Sequence, residues 1–202
     1  MTTESVIGKY SIGIGDRFGH QGVAQLQALV LALQAGVGLT PVWNKSNREH
    51  SIIGTRPEDT RRAADAAVRQ AMWKFPHYVD ADHIGLKNVH LFVQSSDFFT
   101  VDVADFIGKP APASDVASYM DFVKKFRGPV TVPGLPELLL VGDRDLEDLT
   151  RKYLLPIKEA GKIYRLIRSL KGDLPFVTEI SIDESFDPQS PQELFFILAG
   201  IA

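Results

Sequence analysis

Apolar and polar positions alternate along the chain in a way that predicts an α/β fold. Short apolar runs at residues 10–15, 39–43, 77–82, 98–103 and 176–182 predict five strands. Helical periodicity between and after them predicts helices at residues 22–36, 55–74, 114–127, 145–171 and from 190 onward. Strands that alternate with helices in this order favour a parallel sheet.

Residues that begin or interrupt helices refine these boundaries. Thr55 and Ser190 each precede a glutamate by three positions, which is the spacing of a capping box. Ser114 is expected to cap the helix that follows it, and a Pro/Gly-rich stretch covers residues 128–136. Pro156 predicts a break or kink in the helix around it, because proline has no backbone N–H to donate.

The end of the sequence is strongly apolar. Residues 194–202 contain no charged side chain, so this helix is expected to expose Phe195, Phe196, Ile197 and Leu198 on at least one side. Exposed apolar surface of this kind favours association. We therefore expect a partner subunit or further downstream residues to cover it, and we expect the chain alone to self-associate, for example as a homo-oligomer.

Composition and charge narrow the classes of function. The 202 residues show no linker and no internal repeat, which predicts one domain over residues 1–202. The net charge of −3 arises from mixed charges without a basic stripe, which disfavours nucleic-acid binding. The absence of cysteine excludes disulfides and thiolate metal sites. A polar start and short apolar runs predict a cytoplasmic protein without a secretory signal or membrane span.

Polar side chains occur at the carboxyl end of every predicted strand. In order along the chain they are Asp16, Arg17 and His20; Asn44, Lys45 and Ser46; Asp80, Asp82 and His83; Asp102 and Asp105; and Glu179, Asp183 and Glu184. Parallel strands bring these ends to one edge, where ligands bind in α/β folds. Exposed loops are polar in most proteins, but five in succession favour a binding site.

The number of carboxylates in this set suggests a metal ion. Carboxylates held close together repel one another unless a cation neutralises them. A histidine among them gives a mixed nitrogen and oxygen donor set that suits Mn, Fe, Co, Ni or Zn. The spacing matches no HExxH or EF-hand pattern, so helix caps and surface ion pairs are the alternative interpretation.

Glu179 lies inside the fifth predicted strand. Alternation places Glu179, Ser181 and Asp183 on one face of that strand and residues 178, 180 and 182 on the other. In a closed barrel the inner face near the carboxyl ends lines the active site. A row of Glu, Ser and Asp there is costly to bury without a ligand or a metal.

A glycine-rich turn after the first strand raises the question of a dinucleotide site. Gly13, Gly15 and Gly19 depart from the G-x-G-x-x-G spacing because the third glycine comes one position late. The second strand is followed by Asn44 and its neighbours rather than by an acidic residue that would bind a ribose. Both departures disfavour a nicotinamide cofactor.

Several segments resemble the tagaturonate epimerase family of bacterial hexuronate catabolism. They occur in one order and cover residues 10–19, 42–50, 80–85, 98–107, 179–184 and 191–198. The resemblance implies a TIM-type (β/α) barrel, incomplete here at about five βα units because family members are considerably longer. It also implies a divalent metal cofactor and a small sugar-acid substrate, with interconversion of D-tagaturonate and D-fructuronate.

The resemblance also implies roles for the residues at the strand ends. The expected metal ligands are Glu179, Asp82 and His83. The expected catalytic residues are Asp183, Glu184 and Lys45. The expected substrate-binding residues are Asp16, Arg17, His20, Asn44, Ser46 and Asp102. Other metal-dependent sugar isomerases or aldolases on the same fold remain alternatives, as does a non-catalytic fragment that needs its missing half.

Overall fold

The computed structural model describes residues 7–182 and 188–202. Its strands are β1 (Ser11–Gly15), β2 (Thr40–Ser46), β3 (Tyr78–Ile84), β4 (Phe98–Asp102), β5 (Gly128–Val130), β6 (Leu139–Val141) and β7 (Val177–Ser181). Its helices are α1 (Gly22–Gln34), α2 (Asn47–Ile53), α3 (Pro57–Gln70), α4 (Val89–Phe92), α5 (Ala113–Val123), α6 (Asp143–Lys171) and α7 (Pro191–Ile201). Short 3₁₀ turns lie at Ala104–Phe106 and Lys124–Phe126.

The described residues divide into two compact units. The first comprises residues 7–102 and Ile163–Ser181, and the second comprises Val103–Lys162 with residues 182 and 188–202. Helix α6 contributes to both. In the described ranges, no helix is both long and apolar enough to cross a bilayer.

The first unit is built on a five-stranded sheet in the order β1-β2-β3-β4-β7. Every pair of neighbouring strands is parallel, so the prediction of five parallel strands is confirmed. The strands follow one another across the sheet in chain order, with a helical connection after each, as in βα repeats. The sheet does not close into a barrel within the described part of the chain.

One face of this sheet packs against α1 and α3. Ile14, Trp43 and Val79, from three neighbouring strands, share a buried cluster with residues such as Leu26 of α1 and Ala64 of α3. Because side chains alternate along a strand, the residues next to these three point to the other face. That second face holds the candidate site, and we call it the inner face.

The inner face is apolar at the amino ends of the strands. Val42, Tyr78 and Phe98 are buried together there, with Ile7 and Val177 packed beside them. Two positions further along each of β2, β3 and β4, the same face carries polar side chains. The inner face therefore changes from apolar to polar toward the carboxyl ends of the strands, and the candidate site lies in the polar part.

The second unit packs α5, α7 and the first part of α6 around an antiparallel β5–β6 hairpin. Its core contains Val123, Val141, Leu146, Leu149, Tyr153, Phe196 and Ile197. Helix α7 begins at the predicted cap, where the Glu193 backbone N–H donates to the Ser190 hydroxyl over 3.1 Å. The Glu193 carboxylate also accepts from Lys152 at 2.6 Å and from Tyr153 at 2.9 Å.

The apolar final helix is less exposed than the sequence predicts. Phe196 and Ile197 are buried, because α7 packs them into the core of the second unit. Leu194, Leu198 and Ile201 do remain exposed and, at spacings of four and three residues, lie along one side of the helix. The expectation of exposure is therefore wrong for Phe196 and Ile197 and correct for Leu198.

Several helix boundaries differ from those predicted. Helix α2 was not anticipated, and its capping box pairs Ser46 with Glu49. Helix α3 starts at Pro57, with Arg56 rather than Thr55 at its N-cap position. Helix α5 likewise begins one residue before Ser114, which is therefore not its cap. These short polar segments contain several competing capping residues, which makes the true boundary hard to choose from local sequence.

Pro156 lies inside a continuous helix, so the helix does not break at this residue, and the predicted kink stays a prediction. Proline removes one backbone hydrogen bond from the helix. The same turns bury Tyr153, Leu154 and Ala160, and this packing offsets the loss. The Pro/Gly-rich stretch after α5 also holds regular structure, since its first residues form strand β5.

Candidate active site

Strand register brings five of the predicted site residues to the inner face, namely Asn44, Ser46, Asp82, Asp102 and Glu179. Asn44 pairs with Asp80, and Ser46 pairs with Asp82, across β2 and β3. Thr100 pairs with Glu179 across β4 and β7, and Asp102 pairs with Ser181 one step beyond. Paired residues of neighbouring parallel strands point to the same side of a sheet. The inner face therefore carries a polar layer near the carboxyl ends of four strands.

Asp80 is the most buried carboxylate of this layer, with 5% of its surface exposed. Its Oδ1 accepts from the Thr100 backbone N–H at 3.0 Å, and its Oδ2 accepts from the Thr100 hydroxyl at 2.8 Å. Burial raises the pKa of Asp80 to about 7, against the opposing effect of the Thr100 hydrogen bonds. The negative charges of Asp82 and Glu179 raise this pKa further.

Asp82 and His83 lie together at the end of β3. The His83 Nδ1 is 2.7 Å from the Asp82 Oδ1. His83 has a φ of 53°, a left-handed conformation that is uncommon for residues other than glycine. The strand pairing between β3 and β4 also shifts register at this point. The predicted ligands therefore sit on an irregular and partly strained segment beside the polar layer.

Asn44 lies next to two glycines of β1. A Cβ atom at Gly13 would come within 3.8 Å of the Asn44 amide nitrogen, and one at Gly15 within 3.7 Å of its amide oxygen. Among the described residues, the buried Asn44 Oδ1 has no hydrogen-bond partner. A buried amide oxygen of this kind can accept a hydrogen bond from a substrate hydroxyl.

The loop residues predicted to bind substrate are engaged in local structure. The Asp16 carboxylate accepts from the backbone N–H groups of Gly19, at 2.9 Å, and of Gln21. Arg17 pairs with Glu49 at 3.1 Å, and Glu49 also belongs to the capping box at the start of α2. This box engages the Ser46 hydroxyl. His20 is exposed near Phe18, at a ring distance of 6.5 Å.

Lys45 lies apart from the polar layer. It follows Trp43 by two positions, which places it on the face that α1 and α3 cover. Burial lowers the pKa of the Lys45 amine, while the charges of Asp16 and Glu49 act to raise it. Within residues 7–182 and 188–202 no hydrogen bond or ion pair engages this amine. The catalytic role of Lys45 stays a prediction.

Asp183 and Glu184 lie outside the described residues. Among the residues that the structure describes, no three His, Asp or Glu side chains are grouped closely enough to hold a metal ion. Asp82 and His83 of β3 are separated from Glu179 of β7 by strand β4, so the predicted ligands do not form a metal-binding triad among the described residues.

A profile of tagaturonate epimerases matches residues 2–201, nearly the whole chain. The chain belongs to the tagaturonate epimerase family. No curated protein matches it.

The fold matches solved structures of the same family. Native, one-glycerol and two-glycerol crystal structures of the fructuronate-tagaturonate epimerase UxaE from Cohnella laeviribosi superpose with TM-scores of 0.76, 0.77 and 0.78. Sequence identity is 22%, so this likeness concerns the fold. The alignment covers 98% of this chain and 42% of the solved chain. This family member thus spans less than half the length of those relatives.

The Asp80–Thr100 pair is the feature of the site that sequence reasoning missed. Asp80 was counted only as one carboxylate of a cluster, and Thr100 was not singled out. A polar Thr100 within the apolar run 98–103 is the available signal, because such a residue in a buried strand needs a hydrogen-bond partner. Alternation from Phe98 places it on the face of Asp80.

Proposed function

We propose that this chain forms part of the active site of a divalent-metal-dependent epimerase that interconverts D-tagaturonate and D-fructuronate. The proposed scaffold is a TIM-type (β/α) barrel, to which the five parallel strands contribute. The observation that carries the proposal is the layer of Asp80, Asp82 and Glu179 on one face of a sheet in a member of the tagaturonate epimerase family. Because the chain covers 42% of the solved epimerase, the activity of the whole protein is part of the proposal.

The donor set of the inner face fits a divalent metal ion. Asp82, Glu179 and His83 offer carboxylate oxygens and an imidazole nitrogen, which suit Mn, Fe, Co, Ni or Zn. Burial is the main cause of the raised pKa of Asp80, and the negative charges of Asp82 and Glu179 add to it; a bound cation would offset that added repulsion. When bound, such a metal supplies Lewis-acid polarisation of a carbonyl oxygen.

The chemistry of the substrates limits the route of epimerisation. The two sugar acids differ at the carbon β to the ketone, and enolisation acidifies only the α carbon. A retro-aldol step can invert the β centre: a base removes the β-hydroxyl proton, the α–β carbon bond breaks, and its electron pair passes to the enolate. Re-addition to the other face of the aldehyde restores the bond with inverted configuration. Asp183 or Glu184 is the proposed base, with Lys45 as a further catalytic residue.

The remaining polar residues are proposed to hold the sugar acid. Asn44 has a buried amide oxygen available to a hydroxyl, and Asp102 lies beyond the carboxylate layer on the same face. Arg17 can contribute positive charge for the substrate carboxylate. Asp16, His20 and Ser46 complete the proposed substrate-binding set, with Asp16 and Ser46 already fixing the adjacent loops.

Nuclear magnetic resonance of the purified chain tests this function directly. We expect conversion of D-fructuronate to D-tagaturonate in the presence of Mn²⁺, Ni²⁺, Co²⁺ or Zn²⁺, and loss of conversion after chelation. Glu179→Gln should abolish turnover, whereas Glu147→Gln, an exposed change in α6, should not. Cleavage products or isomerised aldoses without epimer would favour another sugar isomerase or an aldolase. Failure to convert either uronate with all four metals would contradict an active site formed by this chain alone and favour a non-catalytic fragment that needs its missing half.

A further inference from the structure

Strand β3 contains a bulge beside the carboxylate layer. Ala81 pairs with Phe99, and the next pair joins Ile84 to Val101. Strand β3 therefore advances three residues where β4 advances two, which places one extra residue in β3. The inserted segment contains Asp82 and His83. Bulges of this kind redirect side chains next to active sites.

Thr100 lies opposite the bulge, between the two paired positions of β4, and its backbone N–H donates to the Asp80 carboxylate at 3.0 Å. The same carboxylate accepts from the Thr100 hydroxyl. Both residues are 5% exposed, so water cannot readily replace these bonds.

Thr100 also connects the bulge to the next strand. It pairs in register with Glu179 of β7, so whatever fixes Thr100 fixes the strand position beside Glu179. Asp80 immediately precedes Ala81, the last regular pair before the bulge. One buried carboxylate thus joins the start of the bulge to the strand that adjoins Glu179.

We propose that Asp80 is a positioning residue, whose bonds to Thr100 hold the β3 bulge and thereby fix Asp82 and His83 relative to Glu179. The effect of Asp80 on metal binding rests on the function proposed above. Asp80 acts through Thr100, which distinguishes it from a residue that touches the metal or the substrate.

Conservative substitution separates this role from direct ligation. In Asp80→Asn the amide oxygen can accept from the Thr100 N–H, and the amide nitrogen can donate to the Thr100 hydroxyl oxygen. The connection therefore survives in Asp80→Asn and is lost in Asp80→Ala. A residue that bound the metal itself would fail in both variants, because a neutral amide is a much poorer metal ligand than a carboxylate.

Asp97 provides a matched control. Its carboxylate accepts from the backbone N–H of Val79 in β3 at 2.7 Å. Like Asp80, it is therefore a carboxylate that accepts from a backbone N–H of the sheet. It precedes β4 and therefore lies at the other end of the strand from the bulge. Asp97→Ala removes this hydrogen bond, and with it an ion pair to Arg61 at 2.7 Å, without touching the bulge.

Two measurements on the purified chain test the proposal. Amide hydrogen exchange should accelerate in β4 and β7 around Thr100 and Glu179 in Asp80→Ala, and it should stay near wild type there in Asp80→Asn and Asp97→Ala. Co²⁺ binding, followed by visible absorption, should weaken about tenfold or more in Asp80→Ala. It should stay close to wild type in the other two variants.

The outcomes distinguish this inference from the proposed function. Unchanged exchange around Thr100 in Asp80→Ala would overturn the positioning role, whatever the metal data. Equal loss of Co²⁺ binding in Asp80→Asn and Asp80→Ala would overturn it in favour of direct ligation. A wild-type chain that binds no Co²⁺ while the exchange pattern appears as expected would contradict the metal site and leave the structural role of Asp80 supported.

Discussion

Replacing Asp80 with asparagine should make the protein more resistant to unfolding at high pH. The carboxyl of Asp80 is buried beside Asp82 and Glu179, and these surroundings raise its pKa to about 7 from 3.8. Ionising it in the folded protein is therefore unfavourable, whereas the same group ionises freely in the unfolded chain. Asparagine has nearly the same shape, can keep both bonds to Thr100 and cannot ionise.

The sign and size of the effect follow from proton linkage. Between pH 4 and 7 the folded wild type holds one more proton than its unfolded chain, so its free energy of unfolding decreases as the pH rises. A rise of about three pKa units at 1.36 kcal/mol each gives a loss of up to about 4 kcal/mol. The loss is absent below pH 4 and complete above pH 7. The stability of Asp80→Asn relative to wild type should increase by the same amount over this range.

Urea unfolding at pH 4.5, 6, 7 and 8, with a chelator present, measures this difference. The Asp97→Asn variant corrects for the general cost of altering a carboxylate that bonds a backbone N–H of β3. A difference between Asp80→Asn and wild type that stays constant with pH would refute the reasoning. So would a difference that shifts in favour of the wild type as the pH rises.

Three further predictions concern the site and the two cores. In the full-length context, Glu179→Gln and Asp82→Asn should each abolish metal-dependent turnover with the circular dichroism spectrum unchanged, and near-normal activity of both variants without added metal would contradict their role as ligands. Leu26→Ala should lower the free energy of unfolding by about 2–5 kcal/mol in urea titrations, because Leu26 is fully buried against the sheet. Ser190→Ala should cost about 1 kcal/mol by removing the cap of α7, and an unchanged urea midpoint would argue against that cap.

The strands were predictable because each is a compact apolar run. All five predicted strands occur within one or two residues of their expected limits, apart from the carboxyl end of β2, which extends three residues further into polar sequence. Asn44, Lys45 and Ser46 were assigned to a loop, yet they pair regularly with β1 or β3. Polar residues within a strand reflect the face they occupy, and local composition alone does not reveal this.

The placement of polar residues together at the carboxyl ends of the strands was predictable from the sequence. The strand irregularity and the side-chain contacts among those residues were not. The rule that parallel strands present their carboxyl ends together correctly placed Asn44, Asp82 and Glu179 on one side of the sheet. The rule could not identify the bulge at Asp82 and His83, because a one-residue change of register depends on how two distant segments pair. It also could not show that Lys45 faces the helices, since that required the true limits of β2.

The position of the carboxylate layer follows from the apolar layer beneath it. Val42, Tyr78 and Phe98 fill the inner face at the amino ends, and each lies two residues before a polar side chain on the same strand. Those next residues are Asn44, Asp80 and Thr100, so the buried Asp80 and Thr100 rest directly on the core. Burial there makes the charge of Asp80 costly and makes its bonds to Thr100 hard for water to replace. The same packing that destabilises an ionised Asp80 therefore gives it the rigidity a positioning residue needs.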